Sequence, residues 1–317
     1  MHQNLLADPK YKNFIDRFVA LKKKSEELTL TDARALSTAF FLPPDTIYEP
    51  VYKIENVEII GKDHNKIPLR LYIPNKSDHP LPVMLYFHRG GWVFGNIEGA
   101  DPLCRKMANR FGCIVVSVEY RLAPENPFPK PLEDCFAALE WVSQHCASFG
   151  GNPEKIIISG ESAGGNLAAA TAFMSRDKGT PVVAAQLLFY PVIASTIKDE
   201  AYDLCVDQYF MNKDAMKFFW SMYVQTPKEM NHPYASLDRM SNFKWIPPTI
   251  VITAEYDPLM REGQEFAERL RQNGIKTASR CFPGVIHGFI DLPIYEEEQK
   301  NLWLTEILQI LKETKSI

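Results

Sequence analysis

The chain has 317 residues, 46% hydrophobic and 12% aromatic, enough to bury a large core in one α/β domain with insertions or in two domains. Its 39 acids and 35 bases give a formal charge of −4, and no basic stripe forms, which argues against nucleic acid or an anionic membrane as partner. No run reaches the ~18 apolar residues of a membrane span, and the opening MHQNLLADPKYKNF lacks both a basic and an apolar leader region, so a cytoplasmic protein without stable membrane insertion is expected.

In chain order, residues 1–48 carry a helix with Phe14, Phe18 and Leu21 on one face, with Lys22, Lys23 and Lys24 as its solvated end. A second helical pattern follows the N-cap candidate Thr31. Val51–Ile60 and Ile67–Ile73, joined by the polar turn GKDHNK, predict an antiparallel hairpin at a sheet edge. Strand-like runs then recur at Val83–Phe87, Cys113–Tyr120, Lys155–Ser159, Ala184–Phe189, Thr249–Ala254 and Ala278–Phe282. Several are apolar on both faces, as suits parallel strands covered by helices on both sides. Helical patterns alternate with them at about 99–111, 132–148, 163–175, 261–273 and 296–313. Pro131 favours the first turn of the second, and Leu304, Leu308 and Leu311 share a face of the last. Such alternation predicts a doubly wound sheet with functional loops at the carboxyl ends of the strands. Residues 196–228, rich in Met and aromatics, and residues 1–48 fall outside the alternation. They pack on the core or cover the site as a lid, and the lid is preferred. The six cysteines show no C-x-x-C spacing and are expected as buried, reduced thiols.

The chemistry concentrates in KIIISGESAGGNLAAA. An apolar strand ends at Gly160, Ser162 follows within Gly160-Glu161-Ser162-Ala163-Gly164, and an Ala-rich helix begins at once. This is G-x-S-x-G in the strand–turn–helix setting of a nucleophile elbow, with the helix N-terminus behind the serine. A serine hydroxyl is a weak nucleophile, so it needs a base, and the base an orienting acid. TIVITAEYDPL supplies Glu255 and Asp257 after one apolar strand, and CFPGVIHGFID supplies His287 after the last. The order Ser162, Asp257, His287 is that of a Ser…Asp…His triad on an α/β sheet. Asp257, just past the strand end, is preferred over Glu255. Backbone donors for a developing oxyanion are expected from Ala163, directly after the serine, and from the loop after Phe87, which reads HRGGW.

His88-Arg89-Gly90-Gly91-Trp92, Gly160-Glu161-Ser162-Ala163-Gly164-Gly165, and Tyr120-Arg121-Leu122-Ala123-Pro124-Glu125 with Phe128-Pro129 together resemble the motifs of the hormone-sensitive-lipase-like (bacterial type IV) carboxylesterases of the α/β-hydrolase superfamily, over about residues 80–290. The resemblance implies an α/β-hydrolase fold, with an about eight-stranded, mostly parallel sheet flanked by helices and a helical cap. Residues 49–195 and 229–317 would form the catalytic domain, and 1–48 and 196–228 the cap. It also implies Gly90 and Gly91 as oxyanion donors, no cofactor and no metal, and a small-molecule ester of short to medium acyl chain as substrate. A homodimer through the edge of the last strand is a further family habit. Glu161 stands where the family usually has Asp, and Arg89 replaces the first glycine of the oxyanion loop.

Arg89 has two readings: paired with a nearby acid away from the oxyanion, or at the pocket mouth selecting substrates with an anionic group. His88, Trp92 and Glu161 are expected to support the loop or line the pocket, and Arg121 and Glu125 to form a structural network. The expected activity is a serine carboxylesterase working through an acyl-enzyme. A non-catalytic ligand-binding protein, or an amidase or peptidase on the same scaffold, is the alternative.

Overall fold

The computed structural model describes residues 8–197, 202 and 211–314. Its centre is one eight-stranded sheet in the order β1-β2-β4-β3-β5-β6-β7-β8. The strands are β1 (Lys53–Ile60), β2 (Lys66–Ile73), β3 (Leu81–Phe87), β4 (Ile114–Val118), β5 (Gly151–Glu161), β6 (Ala185–Phe189), β7 (Thr249–Tyr256) and β8 (Thr277–Ile286). β2 runs antiparallel to both β1 and β4, and every other pairing is parallel. The edge hairpin therefore forms where the sequence predicts it, with Ile59 opposite Ile67.

The central strands bury both faces because their apolar side chains alternate without a polar side. Val83, Leu85 and Phe87 of β3, with Ile156 and Ile158 of β5, enter the core on one face. Met84 and Tyr86 of β3, with Ile157 of β5, enter the core on the other. Helices α4 (Lys130–His145), α5 (Ala163–Lys178) and α7 (Met260–Gln272) supply the first core, and α3 (Ile97–Phe111) and α8 (Glu297–Glu313) the second. On α8, Leu304 and Leu311 are fully buried and Leu308 packs beside them, as their spacing predicts, with Trp303 and Ile307 completing the face. Pro131 lies in the first turn of α4, where its missing N–H costs nothing.

Element ends shift by a few residues from the sequence pattern, and two of the shifts have a visible cause. α2 (Leu30–Phe41) is capped by Thr29, whose Oγ1 accepts from the Asp32 N–H at 3.2 Å, so Thr31 lies inside the helix rather than at its cap. β5 begins at Gly151, ahead of the apolar run, because ladder pairing to Leu81 extends it through polar residues. α1 (Pro9–Ser25), α2 and α6 (Lys213–Tyr223) lie outside the sheet layers. Of the segment 196–228, residues 198–201 and 203–210 are outside the described residues, and so is Cys205. The other five cysteines carry free thiols, four of them buried.

The chain runs from β3 outward to β4 and then returns to β5 on β3's other side, so the winding reverses between β3 and β5. Loops leaving the carboxyl ends of strands at such a reversal diverge and open a crevice. Phe87 at the end of β3 pairs with Gly160 near the end of β5, which sets the HRGGW loop beside Ser162. On the other side of the crevice Tyr256 at the end of β7 pairs with Ile286 at the end of β8, so Asp257 and His287 leave the sheet side by side.

Candidate active site

Ser162 has φ +55° and ψ −116°, a left-handed conformation that non-glycine residues rarely adopt. Its neighbours leave no room for a relaxed turn. A Cβ on Gly160 would stand 2.3 Å from the Gly164 carbonyl oxygen, and a Cβ on Gly164 would stand 2.1 Å from the Phe87 carbonyl oxygen. The turn is held by the Ser162 N–H donating to Phe189 O at 2.9 Å, and by Asn166 and Val192 N–H donating to Ser162 O. The serine hydroxyl thus projects from the crevice floor at the N-terminus of the 16-residue helix α5.

His287 Nε2 lies 2.9 Å from Ser162 Oγ, and His287 Nδ1 lies 2.7 Å from Asp257 Oδ2. A carboxylate can only accept, so Nδ1 carries the proton and Nε2 is the acceptor that faces the serine hydroxyl. The second oxygen, Asp257 Oδ1, accepts from the Leu259 N–H at 2.9 Å, which fixes the carboxylate plane. All three residues are almost wholly buried. Glu255, the other acid after β7, instead accepts from the Gly284 N–H at 2.8 Å.

Gly90 (φ +129°) and Gly91 (φ +62°) line the same cavity as Ser162 and His287. Among the described residues the amides of Gly90, Gly91 and Ala163 find no acceptor. The Gly90 carbonyl closes the loop by accepting from Val93 and Phe94 N–H at 3.1 and 2.8 Å. Trp92, fully buried, stacks on Tyr223 of α6 at 4.2 Å, so it supports the loop rather than lining the cavity. His88 stacks on Tyr120 at 4.2 Å and donates from Nδ1 to Arg89 O at 2.9 Å, while the Tyr120 hydroxyl donates to His88 O at 2.7 Å. Burial lowers the His88 pKa to about 4, so it stays neutral at working pH.

Glu161 is buried behind the serine. Its carboxylate accepts from the hydroxyls of Tyr86 and of Tyr190, the latter at 2.6 Å. Desolvation first, and the nearby Asp291 second, raise its proton affinity. Arg89 turns toward acids: Nε and Nη2 donate to Asp291 Oδ2 at 3.0 and 2.8 Å, and Nε lies 3.8 Å from Glu161 Oε2. Tyr86, Tyr190 and Asp291 carry no motif of their own and are not readable as site residues from sequence. Arg121 and Glu125 fall into two networks, Arg121 with Asp134 and Asp63, Glu125 with Arg34 of α2.

A cavity of about 310 Å3 opens above Ser162, with far more apolar than polar wall. Phe18 of α1, Phe41 of α2, Phe94 of the HRGGW loop, and Phe218 and Phe219 of α6 form its aromatic wall. Phe219 rests on Gly91, where a Cβ would stand 2.2 Å from the ring. No described helix is long and apolar enough to cross a membrane.

A family model described as alpha/beta hydrolase fold matches residues 84–291. The chain belongs to this family. It is 33% identical over 290 residues to the carboxylesterase NlhH of Mycobacterium tuberculosis, covering 90% of each chain. The hyperthermophilic esterase of the archaeon Pyrobaculum calidifontis superposes with a TM-score of 0.84 at 34% identity, over 94% of this chain and 98% of that one. An ester hydrolase from the metagenome of Lake Arreo, solved with a derivative of bipyridine phosphonate, superposes at 0.88 with 32% identity, over 98% and 99%. The chain is a hormone-sensitive-lipase-like serine carboxylesterase, as its three motif groups imply.

Proposed function

We propose that this α/β-hydrolase carboxylesterase hydrolyses esters of short to medium acyl chain by two-step acyl transfer at Ser162. His287 Nε2 takes the serine proton as Oγ attacks the ester carbonyl, and Asp257 holds the ring in the Nδ1–H tautomer and supports its positive charge. The amides of Gly90, Gly91 and Ala163 receive the negative oxygen of the tetrahedral intermediate. His287 returns its proton to the departing alcohol. Water then attacks the acyl-enzyme, again deprotonated by His287, and the acid leaves.

The observation that carries this reading is the unbroken hydrogen-bond line from Asp257 Oδ2 through His287 to Ser162 Oγ, at 2.7 and 2.9 Å, opening into the apolar cavity. The cavity volume, near the small end for ligand sites, suits a short chain better than a triglyceride. Residues 1–48 and 196–228 are read as the cap, since Phe18, Phe41 and Phe219 all reach the cavity from them. Free thiols at the five described cysteines suit a reducing, cytoplasmic compartment. The outer edge of β8 is the sheet edge through which a homodimer would extend. Wild type should hydrolyse p-nitrophenyl butyrate and react once with a fluorophosphonate, and Ser162→Ala should do neither. Retained hydrolysis in Ser162→Ala refutes the assignment.

A further inference from the structure

We infer that Arg89 is a positioning residue that ties together the three loops on which the acyl-transfer chemistry depends. It stands directly before Gly90, and its guanidinium grips Asp291 with Nε at 3.0 Å and Nη2 at 2.8 Å. Asp291 follows His287 by four residues in the same loop. Nε also lies 3.8 Å from the carboxylate of Glu161, the residue directly before Ser162. One side chain therefore touches the oxyanion loop, the histidine loop and the nucleophile turn, each within four residues of its functional group. Phe41 of α2 covers the tie, with the guanidinium carbon 4.3 Å from its ring centroid.

The chemistry of the partners makes the tie hard to replace. Asp291 Oδ1 is buried with no hydrogen-bond partner, and among the described residues every side-chain hydrogen bond to that carboxylate comes from Arg89. Glu161, buried, and Asp291, partly buried, are acids that repel each other, and the guanidinium is the cation that faces both. Without it, Glu161 must take up a proton or face the Asp291 charge unscreened, and either way nothing ties the histidine loop to the nucleophile turn. Arg89 does line the cavity above Ser162, as the alternative raised by the sequence requires, but a guanidinium bonded to Asp291 and facing Glu161 has little charge left for an anionic substrate.

This inference rests on the acyl-transfer reading above, and the test separates the two. The full-length wild type, Arg89→Gly, Arg89→Lys, Asp291→Asn and the Arg89→Gly/Asp291→Asn double variant are titrated with a fluorophosphonate. kcat and KM on p-nitrophenyl butyrate are then expressed per titrated site. A misplacement of the reacting groups by about 1 Å can cost on the order of 100-fold. Arg89→Gly should accordingly lose roughly 10–100-fold in kcat, with KM within about threefold. Arg89→Lys, which keeps the charge without the planar fork, should fall between it and wild type. Asp291→Asn should also lose kcat, and the double variant should be no worse than the poorer single by more than about twofold, because the residues act as one unit. The ratio of activity on a neutral to a carboxylate-bearing ester should stay unchanged in Arg89→Gly. If Arg89→Gly does not fold, Asp291→Asn decides, since it keeps the shape of the site. A kcat per titrated site within about twofold of wild type in the deciding variant, or additive losses in the double, overturns the inference. Failure of wild type to react with the fluorophosphonate would instead overturn the acyl-transfer reading itself.

Discussion

Replacing Gly90 by Ala separates an oxyanion-loop role from a merely glycine-bearing turn. Gly90 has φ +129°, and a Cβ there would stand 2.1 Å from the carbonyl oxygen of Phe94 and 2.4 Å from its carbon. Both atoms are backbone of the same loop, which is already closed by the Phe94 N–H donating to Gly90 O at 2.8 Å. The side chain cannot be accommodated by a rotamer change, so the loop must open. The conformation itself costs an L-residue about 1–3 kcal/mol. Opening the loop turns the Gly90 amide away from the crevice, and loss of one oxyanion donor costs about 3–4 kcal/mol, or roughly 100- to 1,000-fold in kcat. The control is Gly112→Ala: φ is +60° there but nothing lies within 4 Å of the added Cβ. That variant should lose about 1–2 kcal/mol of stability and no activity. Both variants are to be assayed on p-nitrophenyl butyrate with the rate expressed per fluorophosphonate-titrated site, beside a denaturant melt. If Gly90→Ala keeps a kcat within about threefold of wild type, Gly90 is not a donor and the reasoning fails.

Asp257→Asn preserves the shape but offers an amide to His287 Nδ1, and should lower kcat by roughly 10,000-fold with KM little changed; a loss under tenfold would show that another acid orients the ring. Arg34→Ala removes the grip of α2 on the core: Nε donates to Val93 O at 2.8 Å, Nη2 to Ala123 O at 2.9 Å, and the guanidinium pairs with Glu125. Glu125 is half exposed, so the two carbonyl bonds dominate, and about 2 kcal/mol should be lost, with KM for p-nitrophenyl butyrate rising severalfold as Phe41 loosens. An unchanged melting temperature and KM would contradict this. Stability should fall as pH rises from 6.5 to 8. Burial raises the Glu262 pKa to about 8 and pushes Glu161 up as well, so their contributions are complete below their unfolded value near 4.5 and are lost as pH climbs through the folded one. His88 and His232, whose pKa values are lowered, act oppositely, but only below about 6.5. Denaturant melts in that window should show a slope approaching about 1.4 kcal/mol per pH unit, reduced in Glu262→Gln; a flat or rising profile is the refuting result.

What could be read from the sequence is what the chain encodes locally. Gly160-Glu161-Ser162-Ala163-Gly164 sits between an apolar strand and an Ala-rich helix, so its geometry follows from a dozen adjacent residues. Asp257 and His287 were findable because strand ends are visible as the limits of apolar runs, and the winding order says which ends meet. The direction of the Arg89 side chain was not readable, because Asp291 lies 202 residues away with no spacing rule to connect them. The contact of Phe219 with Gly91 was equally hidden: an aromatic-rich helix signals burial, but which ring meets which loop depends on how the helix docks. The pattern points to Thr31 as the cap, but Thr29 stands just ahead of it and it is Thr29 that the Asp32 amide reaches.

Three of the five described non-glycine residues at positive φ lie around the crevice, with His64 and Trp245 elsewhere, and the sheet explains how those three are sustained. Ser162, Trp92 and Tyr190 are non-glycine residues at φ +55°, +61° and +34°, and each follows the carboxyl end of a strand. Strain of this kind costs on the order of 1–3 kcal/mol per residue and persists only where surroundings over-determine it. Each of the three has such surroundings. Ser162 makes backbone hydrogen bonds to Phe189, Asn166 and Val192. Tyr190 donates its N–H to Ile252 O at 2.6 Å and its hydroxyl to Glu161. Trp92 accepts from the Ala123 N–H at 2.9 Å while its ring stacks on Tyr223. The partners belong to neighbouring strands, to the segments after β4 and β6, and to α5 and α6, so relaxing any one strained residue requires breaking bonds in an element it does not belong to. The serine is therefore held from several elements at once, whereas the cavity wall above it is built from single aromatic side chains of α1, α2 and α6.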